Sequence, residues 1–392
     1  MPLKFLKRNF LSPLLELMHD SRAVGVVLII STIISLLFSN SVWGTAYISF
    51  WNMETHAAAT LPHTLLHWIN DGLMAIFFFQ VGMEIKRELI NGELSSFKQS
   101  VLPVAGAVGG MLVPALIFIA FNKGETTANG WGIPMATDIA FSLGVASLLG
   151  KRVPLSLKIF LTALAIIDDL GAIVAIAVFY TDAIHTTYLL SGIGLTAILF
   201  LLNYFKLPFG FWNFMAGIAI WFCIYNSGVH ATIAGVLFAF TIPMRQLSNL
   251  EHALHNYVNF LIIPIFALAN TAIVIPDGFT AMLNSNLSLG IMLGLVSGKP
   301  IGIFLFTFIL VQLKVGKLAK GIEWKHIIGM GLLAGIGFTM SIFIAMLAFK
   351  NSFTQDMSKM AVMIASFTAM LLAYAWFKIF TKESSRKETA SF

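Results

Sequence analysis

Predominantly apolar stretches recur from residue 22 to residue 380, with only short polar breaks between them. Crossing a hydrocarbon layer ~30 Å thick takes ~20 residues of helix. Inside such a layer every backbone N–H and C=O must be satisfied internally, which leaves α-helices or a closed β-barrel. A barrel would alternate apolar and polar residues over ~10-residue segments, and no such alternation is present. The expected fold class is therefore an all-α polytopic membrane protein. Composition agrees: of 392 residues 58% are hydrophobic and 11% charged, against about 25% charged in soluble domains.

The apolar stretches divide into twelve expected transmembrane helices, at 22–39, 63–85, 100–121, 128–149, 155–180, 186–204, 209–226, 228–243, 256–275, 287–313, 326–349 and 360–380. With the N-terminus inside, of the 24 Lys and Arg only Lys123, Lys350 and Lys359 fall outside, while Lys299 is left mid-span. That bias is the positive-inside rule, and the net charge of +6 reports topology rather than nucleic acid. The chain 1–392 reads as one integral membrane domain: a basic amphipathic segment within 1–21, twelve spans over 22–380, and a cytoplasmic tail at 381–392. Lys4, Lys7 and Arg8 precede a first span that leads straight into others, so no cleavable signal is expected. A single cysteine, Cys223, excludes an intrachain disulfide and a cysteine metal cluster. The longest outer loop, 40–62, carries Trp43, Tyr47, Phe50 and Trp51. It reads equally as an interfacial aromatic belt or as a hairpin able to pair with a second subunit.

Most acids fall in loops, but Asp71 and Glu84 lie in the second span, Asp138 in the fourth, and Asp168 and Asp169 in the fifth. An Asp at the centre of a membrane helix costs roughly 2.5–3.5 kcal/mol. Asp138 is about eleven residues into its span, Asp168 about fourteen and Lys299 about twelve, so all lie near mid-membrane at 1.5 Å per residue. Charges gathered at one depth mark a functional site. Adjacent helical residues point about 100° apart, so Asp168 and Asp169 cannot both face one cavity. Two ionised carboxylates ~6 Å apart at an effective dielectric near 20 repel by roughly 3 kcal/mol. They are tolerable together only if one of them is paired or protonated.

Two spans look broken at that depth. In "WGIPMATDIAFSLG" Pro134 removes a backbone donor just before Thr137 and Asp138, and in "GMGLLAGIGFTMSIF" Gly335 and Gly337 weaken the helix. Glycines in a membrane helix also serve close packing. Two interrupted spans in corresponding places suggest an inverted repeat of spans 3–5 and 10–12, with the site at the repeat interface. Facing half-helix ends need compensation, an acid at N-terminal ends and a cation at C-terminal ends. Asp138 and Lys299 are the expected pair for those roles.

The stretches "WINDGLMAIFFFQVGMEIKREL" (68–89), "IPMATDIAFSLG" (133–144), "LKIFLTALAIIDDLGAI" (157–173), "SGVHATIAGV" (227–236), "SGKPIGI" (297–303) and "GIGFTMSIFIA" (335–345) closely resemble bacterial NhaA-type sodium/proton antiporters. NhaA is itself an established example of inverted repeats with discontinuous helices. The resemblance implies an inner-membrane homodimer, both termini cytoplasmic, exporting Na+ or Li+ for protons, with no cofactor beyond the transported ions. It implies that Asp138 and Asp169 bind cation and proton with Thr137 beside them, that Asp168 pairs with Lys299, and that Asp71 is a structural polar site. It further ties Glu84, Arg87, Glu251, His252 and His255 to pH activation, with His230 a candidate of the same kind. Histidine changes charge near neutral pH, and Glu251 and His255 lie four apart on one helical face. Ser248, Asn249 and Asn256 depart from the family's usual residues and leave the pH profile open.

Na+ and protons would then compete for one carboxylate pair, about two protons per Na+, giving electrogenic exchange by alternating access. An intramembrane aspartyl protease also needs two carboxylates, but its Gly-x-Gly-Asp motif is missing here. A passive channel needs no tightly held lysine. A relative carrying organic anions would lack the Asp pair.

Overall fold

The computed structural model describes residues 21–181 and 183–381. The expected amphipathic segment within 1–21 and the tail beyond 381 lie outside them, apart from Ser21. Among the described residues the chain is helical, with no strand beyond an isolated antiparallel bridge between Glu54 and Thr64. Eight helices among the described residues are long and apolar enough to cross a membrane: Arg22–Ser39, Phe97–Asn122, Ala128–Leu148, Leu155–Phe179, Thr186–Tyr204, Met244–Asn270, Asn286–Gln312 and Ser352–Phe380. A ninth arises if Trp324–Ala334 and Phe338–Ala348, bent by 48° at their junction, are taken as one span. Large apolar side chains such as Leu37, Leu190, Trp212 and Ile379 stand exposed on the outside. Such an apolar exterior suits a lipid surround.

Helix boundaries depart from expectation for identifiable reasons. The stretch expected at 228–243 is helical only over Thr232–Thr241, because the preceding turn passes through Gly228 at φ +85°. The stretch expected from 256 begins at Met244, behind Pro243, which sets the backbone for a helix start. The last helix starts at Ser352 rather than 360. The Asn351 side chain accepts from Phe353 N and Thr354 N and so caps it. Three helices contain a wide π-type turn, at Trp68–Leu73, Val258–Ile262 and Gly294–Gly298. Such turns shift the facing of the residues that follow, and the third ends immediately before Lys299.

In the loop at 40–62, the short helix Gly44–Trp51 turns Trp51 inward, while Trp43 and Phe50 stay exposed. Thr55 N then donates to His63 O at 2.8 Å, closing a small hairpin.

Close backbone approach sets two tight helix contacts. A Cβ on Gly109 would lie 2.2 Å from Gly302 O, and one on Gly302 would lie 2.0 Å from Gly109 O. The helices Phe97–Asn122 and Lys299–Gln312 therefore meet backbone to backbone. Gly235 plays the same part against Ala75, where its Cβ would lie 2.1 Å from the carbonyl oxygen. Forcing a larger side chain into the first contact should cost about 1–3 kcal/mol. Gly302→Val should therefore lower the melting temperature of the detergent-solubilised protein. Gly194→Ala, at a helical glycine with open space around it, should not.

Candidate ion-binding site

The site forms where two helices come apart side by side. The first is a 3-10 helix, Ala128–Met135, that gives way to extended backbone at Ala136 and resumes as Ile139–Leu148 behind Asp138 (φ −83°, ψ 101°). The second runs Trp324–Ala334, opens at Gly335–Gly337, and resumes as Phe338–Ala348. Neither glycine of the second break tolerates a side chain: Cβ atoms there would lie 2.5 Å from Leu295 O and 2.2 Å from Ser341 Oγ. Pro134 falls inside the 3-10 half, and its missing N–H removes one backbone bond from the turn just before the break.

Each broken helix satisfies the open groups of the other. Asp138 N donates to Ile336 O at 2.8 Å. Ser142 Oγ donates to Leu333 O at 2.8 Å, and Ser341 Oγ returns the contact to Ile133 O at 2.7 Å. The Asp138 carboxylate joins two helix N-termini, with Oδ1 accepting from Phe141 N at 2.9 Å and Oδ2 from Thr339 N at 3.1 Å and Thr339 Oγ1 at 2.5 Å. An acid at two positive helix ends is favourably placed.

Lys299 is fully buried. Its Nζ donates to Asp168 Oδ2 at 2.6 Å and to Thr137 Oγ1 at 2.9 Å. Thr137 Oγ1 lies 2.8 Å from Asp168 Oδ2 and 3.0 Å from Ala334 O, and its single proton serves one of these at a time. The expected direct role of Lys299 at facing C-terminal ends is thus not the arrangement found. Hydroxyls of Thr137, Ser142 and Ser341 meet those carbonyls, while the ammonium meets Asp168. Gly110 makes room for Ile303, a Cβ there lying 2.9 Å from Ile303 Cγ1.

Asp169, one residue on, faces elsewhere. It is buried, and its Oδ1 has no hydrogen-bond partner among the described residues. Asp138 and Asp169 share the wall of a cavity of about 560 Å³ that also takes in Gln80, Glu84, Arg87, Glu251, His252, His255, Asn259 and Thr339. Asp168 and Lys299 do not line it. The cavity therefore joins two buried carboxylates on different helices to a charged mouth. At that mouth Arg87 pairs with Glu251 and with Glu88 at 3.0 Å, and lies 3.9 Å from Glu84.

A family model described as Na+/H+ antiporter 1 matches residues 16–377. The chain belongs to this family. The Na(+)/H(+) antiporter NhaA of Cytophaga hutchinsonii is 49% identical over 377 residues, covering 95% of this chain and 96% of its own length. The Dechloromonas aromatica protein of the same name is 49% identical over 377 residues, covering 94% and 96%. That of Vibrio cholerae is 47% identical over 367 residues, covering 91% and 95%.

In this family member the residues singled out from sequence fall into three places. Asp138 and Asp169 line the cavity, with Glu84, Arg87, Glu251, His252 and His255 toward its charged end. Thr137 stands with Asp168 and Lys299 behind that wall, not in the cavity. His230 and Asp71 lie apart from both. His230 Nε2 is 2.6 Å from Tyr180 O, and Asp71, in the wide turn Trp68–Leu73, accepts at its backbone carbonyl from Trp221 Nε1 at 2.8 Å. Sequence reasoning passed over Thr339, Ser142, Ser341, Glu88 and Gln80. The first three are hydroxyls in the opening turns after each break, a signal that was available. Glu88 adjoins Arg87, and Gln80 is the one polar residue in the run "AIFFFQVGM".

Removing one partner of a buried ion pair strands the other charge, at about 3–5 kcal/mol. Lys299→Met should therefore lower thermal stability in detergent markedly. Adding Asp168→Asn to it should recover a large part of the loss, because no charge is left unpaired.

Proposed function

We propose that this chain is a secondary active antiporter that exports Na+ or Li+ in exchange for external protons. Family membership supports the exchange of sodium and protons. The observation that carries the reading for this molecule is the pair Asp138 and Asp169, held on different helices at the wall of one cavity, away from the neutralised Asp168–Lys299 pair. The two carboxylates bind either protons or one cation, and competition between those ligands couples their movements. With two acids per monovalent ion, about two protons enter for each Na+ that leaves. The exchange is then electrogenic and draws on the membrane potential.

In this reading the protein sits in the bacterial inner membrane with twelve spans and both termini cytoplasmic, as the distribution of Lys and Arg supports. The spans at 100–180 and 287–380 form an inverted repeat whose broken members cross at mid-membrane. Reciprocal bonding by Ser142 and Ser341, each four residues past its own break, supports that symmetry. The mouth of the cavity faces the cytoplasm. There Glu84, Arg87, Glu251, His252 and His255 set the pH at which exchange runs, histidine being the group that changes charge near neutrality. The hairpin within 40–62 lies at the outer surface, where it joins two copies as a homodimer. Alternating access moves one helix bundle against the other around the site.

The test is a pH-gradient dye assay in everted vesicles. Na+ or Li+ should discharge the proton gradient and K+ should not, and Asp169→Asn should lose the response to Na+. Wild-type exchange by Asp169→Asn would remove the site from this account. In proteoliposomes, a potential imposed with K+ and valinomycin should change the rate of Na+ export, and insensitivity to it would argue for one proton per Na+.

A further inference from the structure

Gln80 stands in the wall of the cavity that Asp138 and Asp169 line. The helix Met74–Asn91 presents Phe77, Gln80, Val81, Glu84 and Arg87 to it, the spacing of a single helical face. Glu84 and Arg87 meet at the mouth, and Phe77 and Val81 are apolar. Gln80 is one helical turn deeper than Glu84 and 9% exposed, and its Oε1 has no hydrogen-bond partner among the described residues. A carbonyl buried without a donor is unfavourable, and a leucine or methionine in its place would carry no such penalty.

The other oxygens of the site explain what an amide carbonyl could add. A carboxylate oxygen accepts at two lone pairs. Asp138 Oδ2 already receives Thr339 N and Thr339 Oγ1, and Oδ1 receives Phe141 N. Most of the accepting positions of Asp138 are therefore already taken by protein donors. Asp169 Oδ1 has no partner among the described residues, but one carboxylate beside a largely occupied one makes a sparse shell for a hard cation, which takes several oxygens.

Resting on the antiport reading above, we propose that Gln80 Oε1 is a ligand of the transported monovalent cation, completing an oxygen site with Asp169 and Asp138. A carbonyl differs from the two acids in one decisive respect. It binds a cation but does not titrate, so it strengthens the site for Na+ without strengthening it for protons. Gln80 thereby biases the competition between the two ligands toward the cation.

The experiment is Na+/H+ exchange by purified protein in proteoliposomes, comparing wild type with Gln80→Met and Gln80→Leu. Loss of the ligand should raise the Na+ concentration for half-maximal exchange by about three- to ten-fold. The proton dependence at saturating Na+ should stay in place, and the melting temperature should be equal or higher because the unpaired carbonyl is gone. Half-saturation like wild type in both variants would overturn the proposal. So would a rise matched by falling melting temperature, the mark of a structural residue. If wild type itself exchanges no Na+, the antiport reading fails. If wild type exchanges and the variants match it, the role of Gln80 alone fails.

Discussion

Two helices interrupted inside a hydrocarbon layer expose backbone N–H and C=O groups that water is not there to satisfy. The rest of the site follows from how these groups are met. The breaks lie side by side, and each supplies what the other lacks: Asp138 N to Ile336 O, Ser142 Oγ to Leu333 O, Ser341 Oγ to Ile133 O. A carboxylate between two helix N-termini completes the set. The same geometry that satisfies the backbone therefore fixes an acid at the wall of the cavity. Small residues make it possible, since side chains at Gly335 or Gly337 would collide with Leu295 or Ser341.

The adjacent acids of the helix Leu155–Phe179 are set against these paired breaks in different ways. Helical geometry points them apart, and their surroundings give them different partners. Asp168 is held by Lys299 and Thr137, with both charges fully buried. Thr137 comes from the first break and touches Ala334 beside the second, so the ion pair is tied to both breaks. Asp169 turns to the cavity with an unpartnered oxygen. A buried pair of this kind is weak as a source of stability but costly to break. Its contribution is to hold three helices in register beside a carboxylate that stays available.

Much of this was legible in the sequence, for physical reasons. Acids and a lysine in apolar runs are conspicuous because hydrocarbon makes them costly, and the 100° step of a helix is enough by itself to separate Asp168 from Asp169. Pro134 and Gly335–Gly337 marked the breaks, since few residues open a membrane helix. What escaped was the hydroxyl set. Thr339, Ser142 and Ser341 are common in membrane helices, and their importance depends on what lies opposite, a carboxylate for Thr339 and a carbonyl for each serine, a fact of tertiary packing. Lys299 was expected at open helix ends because its charge suits them, yet the hydroxyls reached those carbonyls and the ammonium took the carboxylate. The start at Met244 was hidden for another reason. Its first turns are polar, so hydropathy alone began the span later, although the helix is continuous into Asn270.

The central claim is that the two neighbouring acids have different work, Asp169 binding the ion and Asp168 balancing Lys299. It is tested most directly by calorimetric titration of Na+ into purified protein at alkaline pH. The double variant Asp168→Asn, Lys299→Gln keeps the site neutral where the pair stood, and Asp169→Asn removes the carboxylate at the cavity wall. The account predicts that the double variant still takes up Na+, with a dissociation constant within about ten-fold of wild type, while Asp169→Asn gives no binding heat. Retained binding in Asp169→Asn, together with its loss in the folded double variant, would contradict it.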